Sequence, residues 1–299
     1  MELLRRHPEN PILTPRADVA WEKEAVFNPG VTVHQGKIYM LYRAIGEYEV
    51  YASSLGLAIS EDGIHFQRFP KPVFSPAEPY DRYGCEDPRI TRLDGRFYIT
   101  YTALSQRAFS GRGNRVALAS TEDFREFKRH GVILPDLDDK DTVIFPEKVR
   151  GRYVMYHRVP PDIWIAYSDD LVNWYGHRRI MFPRPGLWDS QKIGAGAPPI
   201  RTDAGWLLVY HGVDKNRVYR LGVALFDLDD PSQLISRPLE PILEPRERYE
   251  KEGDVPNVVF TCGLAEVDEK IFVYYGGGDK VIGLATVERK ELLDFALRG

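Results

Sequence analysis

Gly95-Arg96-Phe97-Tyr98-Ile99-Thr100-Tyr101 is a turn glycine followed by six residues dominated by aromatic and β-branched side chains, the composition of a strand leaving a tight turn. The same unit stands at Gly36-Lys37-Ile38-Tyr39-Met40-Leu41-Tyr42, at Gly151-Arg152-Tyr153-Val154-Met155-Tyr156 and at Gly205-Trp206-Leu207-Leu208-Val209-Tyr210. A fifth copy, Glu269-Lys270-Ile271-Phe272-Val273-Tyr274-Tyr275, lacks the glycine. The copies begin 59, 56, 54 and 64 residues apart, and a period of that length marks an array of like modules.

Each marker follows a proline-bearing segment: Asn28-Pro29, Asp87-Pro88, Pro146-Glu147, Pro198-Pro199 and Pro256-Asn257. Each precedes a strand of small and apolar residues, such as Leu55-Gly56-Leu57-Ala58-Ile59 or Leu221-Gly222-Val223-Ala224-Leu225. In three units an aspartate-rich turn and an aromatic come next, for example Ser168-Asp169-Asp170-Leu171-Val172-Asn173-Trp174, which suits a connection into a fourth, outer strand. Units of four short strands are blades, and a ring of blades disposes of unpaired sheet edges. The expected fold is all-β: one five-bladed propeller domain over residues 1–299, with blades starting near residues 28, 87, 146, 198 and 256. Residues 1–25 and Glu288–Gly299 are left to close or brace the ring, with Leu292, Leu293 and Phe295 docking as a last helical turn.

Hydrophobic residues make up 43% of the 299 and charged residues 28%, with 17 Tyr and 14 Phe, as in a globular protein with ample core. A net charge of −4 argues against a nucleic-acid partner, which calls for a basic face. No apolar run resembles a signal peptide or a membrane span, so a cytoplasmic protein with no membrane partner is expected. Cys85 and Cys262 then read as reduced thiols. No zincin-like ligand spacing appears, and no metal is expected.

A propeller gathers the beginnings of its innermost strands around a central funnel. That gathering makes one candidate site of Asn28, Arg43, Glu86, Asp87, Arg89, Glu147, Lys148, Lys192, His211, Asn257 and Asp279. The densest part is Tyr83-Gly84-Cys85-Glu86-Asp87-Pro88-Arg89-Ile90, where Gly84 permits a tight approach and Pro88 is expected to hold Asp87 extended. Strand neighbours point to opposite faces, so Glu86 and Asp87 are not expected to serve one bond; Asp87 is the candidate acid and Glu86 a structural residue. Lys140, Arg158, Lys192 and His211 fall on the third and fourth units, neighbours in the ring, beside Gly194-Ala195-Gly196-Ala197. Cations with exposed backbone N–H groups are what phosphate binding needs. With phosphate as nucleophile, a glycoside-cleaving enzyme needs one protein carboxylic acid where a hydrolase uses two.

Glu86-Asp87-Pro88-Arg89-Ile90, Phe145-Pro146-Glu147-Lys148, Lys192-Ile193-Gly194-Ala195-Gly196-Ala197-Pro198-Pro199, Tyr210-His211-Gly212 and Val255-Pro256-Asn257-Val258-Val259 closely resemble glycoside hydrolase family 130, the β-mannoside phosphorylases, in order from about Phe27 to Thr286. The resemblance implies inverting phosphorolysis of a β-mannoside to α-D-mannose 1-phosphate, with inorganic phosphate as co-substrate and no cofactor. By that likeness Asp87 is the general acid, acting through the mannose 3-hydroxyl. Lys140, Arg158, Lys192 and His211 match phosphate ligands, with lysine at 140 where many members have arginine. Asn28, Arg43, Asp141, Tyr219, Asn257 and Asp279 match the positions lining the sugar subsites, and Arg89 is counted with them. A β-mannosidase of the same fold stays open, as does a non-catalytic carbohydrate-binding propeller using Tyr48, Tyr51, Trp164 and Trp188. Linkage (β-1,2 or β-1,4) and acceptor sugar are left to the rim segments Glu47–Ser54 and Gln106–Arg115, and a second copy of the chain could complete such a rim in a homo-oligomer.

Overall fold

The structure is a computed structural model and describes residues 2–299. After a two-residue strand β1 (Arg5–Arg6), the chain builds five antiparallel sheets in succession. The first holds β2 (Ala25–His34), β3 (Lys37–Ile45), β4 (Ser53–Ser60) and β5 (Gln67–Arg68), and the second β6 (Cys85–Leu93), β7 (Arg96–Leu104), β8 (Asn114–Thr121) and β9 (Lys128–Val132). The third holds β10 (Lys140–Ile144), β11 (Tyr153–Arg158), β12 (Ile163–Ser168) and β13 (Trp174–Met181). In the fourth, β14 (Lys192–Ala195) and β15 (Ile200–Thr202) share the edge of β16 (Gly205–Val213), followed by β17 (Tyr219–Phe226) and β18 (Leu234–Ser236). The fifth is β19 (Val259–Val267), β20 (Lys270–Gly277) and β21 (Val281–Glu288), and its outer strand is β1. This is the five-bladed propeller expected. The third and fourth blades begin at Lys140 and Lys192, ahead of the prolines at 146 and 198; those prolines line a hollow shared with Val31 and Leu264 instead. Among the described residues no helix is long and apolar enough to cross a membrane.

The marker strands explain the ring. Met40 and Tyr42 pack toward the fifth blade and Leu41 toward the second; Val154 and Tyr156 face the fourth blade and Met155 the second; Val273 and Tyr275 face the fourth and Tyr274 the first. Period-two alternation therefore assigns each side chain to one of two neighbouring blades, both faces are buried, and the strand reads as a continuous apolar run. Each such side chain contributes about 1.5–3 kcal/mol on leaving water.

Every marker ends on a tyrosine whose hydroxyl is satisfied inside the protein. Tyr42 donates to Glu22 at 2.6 Å, Tyr101 to Asp81 at 3.1 Å, Tyr210 to Asp189 at 2.9 Å, Tyr275 to Glu250 at 2.8 Å and Tyr156 to the Pro231 carbonyl at 2.6 Å. The four acids are fully buried and precede the first strand of their blades. Each is neutralised by an arginine on or next to the outermost strand: Arg68, Arg129, Arg237 and Arg6. Opposite Tyr42 and Tyr275 stand Gly56 and Gly283, where a Cβ would meet the tyrosine ring at 2.3 and 2.5 Å. The tail forms a helix, Arg289–Ala296, with Leu292 buried against the fourth and fifth blades.

Candidate active site

In the first three blades the innermost strand has a bulge near its start, between Phe27 and Gly30, Glu86 and Arg89, and Lys140 and Val143. The first residue in each bulge is left-handed: Asn28 at φ 47°, Asp87 at 51°, Asp141 at 52°; Asn257, just before β19, has φ 61°. Asn and Asp tolerate this region better than other side chains, and a bulge re-aims the side chain it carries. The expectation that Pro88 holds Asp87 extended therefore fails. So does the opposite-face rule, because the bulge breaks alternation and Glu86 and Asp87 line the same cavity. In the fourth blade the position belongs to Gly194, where a Cβ would come within 2.5 Å of Asp141 Oδ2 and 2.7 Å of His211 Nε2.

The cavity, about 270 Å³, is lined by Asn28, Arg43, Asp87, Lys140, Asp141, Arg158, Lys192, Tyr219 and Asp279 from the expected set. At its acidic end Asp87 Oδ1 accepts from Asn28 Nδ2 at 2.9 Å and from Arg43 Nη1 at 3.3 Å, and among the described residues Oδ2 accepts no hydrogen bond. Glu86 is ion-paired with Arg43 and, at 3.4 Å, with Lys140. Burial pushes the Asp279 carboxyl up to about 7, the charges of Asp87, Asp254 and Glu86 adding to the effect and Arg43 opposing it.

At the cationic end Asp141 is the hub. Its Oδ1 accepts from Arg89 at 2.9 Å, and its Oδ2 lies 2.9 Å from Arg158 and 3.4 Å from His211. Burial opposes its ionisation, yet Arg158, His211 and Arg89 hold the carboxyl well below the usual range. Lys192 is different: among the described residues it has no carboxylate within ion-pair distance, and its ammonium lies 5.1 Å from the Tyr219 ring centre. Burial, then the nearby Arg158, pulls its pKa down to about 8. Behind Arg158, buried Asp139 takes the Arg158 N–H at 2.9 Å on one oxygen and His157 Nδ1 at 2.5 Å on the other, with His177 a further 3.1 Å from His157 Nε2.

Three expected ligands do not reach the cavity wall. Arg89, 1% exposed, is a strut that bonds the carbonyls of Asp87, Ala195 and Gly196. His211 is fully buried, clamped by Phe260 at 4.4 Å and Tyr219 at 6.2 Å between ring centres, and burial lowers its pKa with Asp141 opposing. Asn257 acts through its carbonyl, which takes the Tyr219 N–H at 3.0 Å. Glu147 pairs with Arg201, Lys148 covers Tyr153, and Trp164 and Trp188 pack beside His157 and Tyr210. The expected rim segment Gln106–Arg115 reaches the cavity through Ala108, Phe109 and Asn114, and Arg217 and Phe260 join it although no motif singles them out; Asp139 and His157 carry no motif and meet only when β10 pairs with β11.

Buried hydrogen-bonding atoms without a partner among the described residues number ten, and six lie here: Asn28 Oδ1, Arg43 Nε, Asp141 Oδ2, Arg158 Nε and both ring nitrogens of His211. Of these, Asp141 Oδ2 and His211 Nε2 face each other at 3.4 Å and Arg158 lies 2.9 Å from the same oxygen, so the cluster is held together by charge more than by well-aligned hydrogen bonds.

The family described as glycoside hydrolase 130, beta-1,4-mannooligosaccharide phosphorylase, matches residues 3–298. A 1,2-beta-oligomannan phosphorylase from Thermoanaerobacter sp. (strain X514) is 49% identical over 294 residues, covering 97% of this chain and 98% of the relative. A beta-1,2-mannobiose phosphorylase from the same organism is 47% identical over 300 residues, with 97% and 98% covered. The solved beta-1,2-mannobiose phosphorylase of Listeria innocua, in complex with beta-1,2-mannobiose, superposes with a TM-score of 0.88 at 30% identity over 99% of both chains. The chain belongs to glycoside hydrolase family 130.

Proposed function

We propose that this chain is an inverting β-mannoside phosphorylase acting on β-1,2-linked manno-oligosaccharides, releasing α-D-mannose 1-phosphate. The observation that carries the reading is Lys192: a half-buried ammonium that, among the described residues, has no carboxylate within ion-pair distance, in one cavity with Arg158 and with Asp87, whose Oδ2 accepts no hydrogen bond. A partly desolvated cation gains from an anion beside it, and phosphate supplies that charge. The β-1,2 preference is supported by the names of the relatives.

In this scheme Arg158 and Lys192 hold phosphate, with Lys140 shared between it and Glu86. Asp141 and His211 stand behind as positioning groups. A phosphate oxygen attacks the anomeric carbon opposite the leaving oxygen, so one C–O bond forms as the glycosidic C–O bond breaks, with inversion. Asp87 delivers a proton to the leaving oxygen, through the mannose 3-hydroxyl as the family resemblance implies, and hydrogen phosphate provides the proton that restores it. Asn28 and Arg43 stabilise the Asp87 carboxylate formed on the way. The sugar phosphate is charged and does not leak across a bilayer, which fits a cytoplasmic setting.

The test is formation of α-mannose 1-phosphate from β-1,2- and β-1,4-mannobiose with and without phosphate. Asp87→Asn is expected to lower kcat by about 10²–10⁴ with little change in melting temperature, since Asn tolerates the same backbone. Mannose release without phosphate would make the protein a hydrolase instead.

A further inference from the structure

The loop joining β7 to β8 is closed at its base by the Ser105 N–H, which donates to the Gly113 carbonyl at 3.0 Å, and by Asp138, which accepts from the Gly113 N–H at 2.6 Å. Its tip presents Phe109, 78% exposed and left-handed at φ 63°. Holding a bulky residue in that region costs about 1–3 kcal/mol. Phe124 and Leu171 share the conformation but are buried, so their packing offsets it. Phe109 has no such return, and a strained, exposed aromatic calls for a functional explanation.

The ring is not isolated. It meets Tyr51 edge to face at 4.9 Å; Tyr51 stacks on Tyr48 at 6.0 Å, bonds Asp254 through its hydroxyl, and lies 5.9 Å from the Arg43 guanidinium, which holds Asp87. Asp87, Arg43, Tyr51 and Phe109 thus form a staircase from the cavity floor to the rim, and all four line the same cavity. Asn114 and Arg217 line it too. A rigid apolar face bordered by amide and guanidinium groups suits a pyranose, which has an apolar C–H face and a hydroxyl edge.

We propose that Phe109, backed by Tyr51, is the stacking platform of an outer subsite that takes the sugar ring one beyond the leaving residue, so that the enzyme favours β-mannosyl chains of three or more units. The proposal rests on the phosphorylase reading. Phosphate dependence of the unsubstituted enzyme is measured first, and phosphate-independent mannose release overturns that reading alone. The platform is tested by kcat/KM for β-1,2-mannobiose and β-1,2-mannotriose in Phe109→Ala and Phe109→Trp. The expected result is a five- to twentyfold loss on the trisaccharide with less than a twofold change on the disaccharide, and retention by the Trp variant. Equal losses on both substrates, or none on the trisaccharide, would overturn the platform whichever reaction is catalysed.

Discussion

Asp139 pins Arg158 by the main chain: the Arg158 N–H donates to Asp139 Oδ1 at 2.9 Å while His157 occupies the other oxygen. Lys140 follows Asp139 directly and pairs in register with Arg158. One buried carboxylate, touching no substrate, therefore fixes the strand ends that carry two of the proposed phosphate ligands. Asp139→Ala is expected to raise KM for phosphate by about five- to thirtyfold, the 1–2 kcal/mol typical of a buried hydrogen-bond partner lost, with KM for the mannoside changed less than twofold. Asp139→Asn keeps an acceptor for the N–H and should recover most of the loss. Steady-state kinetics with each substrate varied in turn distinguishes this from general unfolding, which would move both constants.

Lys192 predicts a pH dependence. With its pKa down near 8, phosphate finds the ammonium charged below that pH and progressively neutral above it. KM for phosphate should rise above about pH 8, by up to tenfold per unit. In Lys192→Arg the guanidinium stays charged, and the inflection should vanish. The stability sign is separate: between about 8 and the ordinary 10.5 the unfolded chain binds more protons, so folding stability gains from this residue as pH rises through that window.

Asp279 gives the opposite slope. Its carboxyl is raised to about 7 from an ordinary 3.8, so the folded state binds more protons between those values and stability falls as pH rises through them, by up to about 1.4 kcal/mol per unit. Asp279→Asn has no such proton to lose, and Asn tolerates the φ of 51° found there. Its melting temperature relative to the parent should therefore climb from pH 5 to pH 7.5, as thermal melts in matched buffers would record. A pH-independent difference would show that the carboxyl titrates elsewhere.

The ring was readable because both faces of each marker strand are buried, which prints a dense aromatic signature such as Phe97–Tyr101 or Leu207–Tyr210 every 54 to 64 residues. Where the blades begin was less readable. Pro29 and Pro88 sit inside the bulges, whereas Pro146 and Pro198 come after the first strands have ended, so one residue type marks two different places. Asp87, Asn28, Arg43, Lys192 and Asp279 line the cavity, though Asp87 and Asn28 are aimed there by bulges that the strand pattern does not show. Arg89 and His211 did not, because charge and hydrogen-bonding capacity say nothing about depth: both are consumed in holding Asp141 and its surroundings. Phe109 falls in the expected rim segment Gln106–Arg115, but its posture does not show in the sequence. A phenylalanine in a loop gives no hint that its backbone is left-handed or that its ring stays outside.

The pairing of β1 with β21, reinforced by Arg6 on Glu250, has a consequence for the order of synthesis. Arg5 and Arg6 are made well before their partners, Glu250, Ala285 and Thr286. As the chain leaves the ribosome, four blades can assemble while Arg5 and Arg6 wait, and the circle closes only once the fifth blade has emerged. The carbonyl of Glu250 accepts the Val258 N–H at 3.0 Å, beside the Asn257 that holds Tyr219. The last joint to form is therefore also the one that sets the fifth blade's share of the funnel.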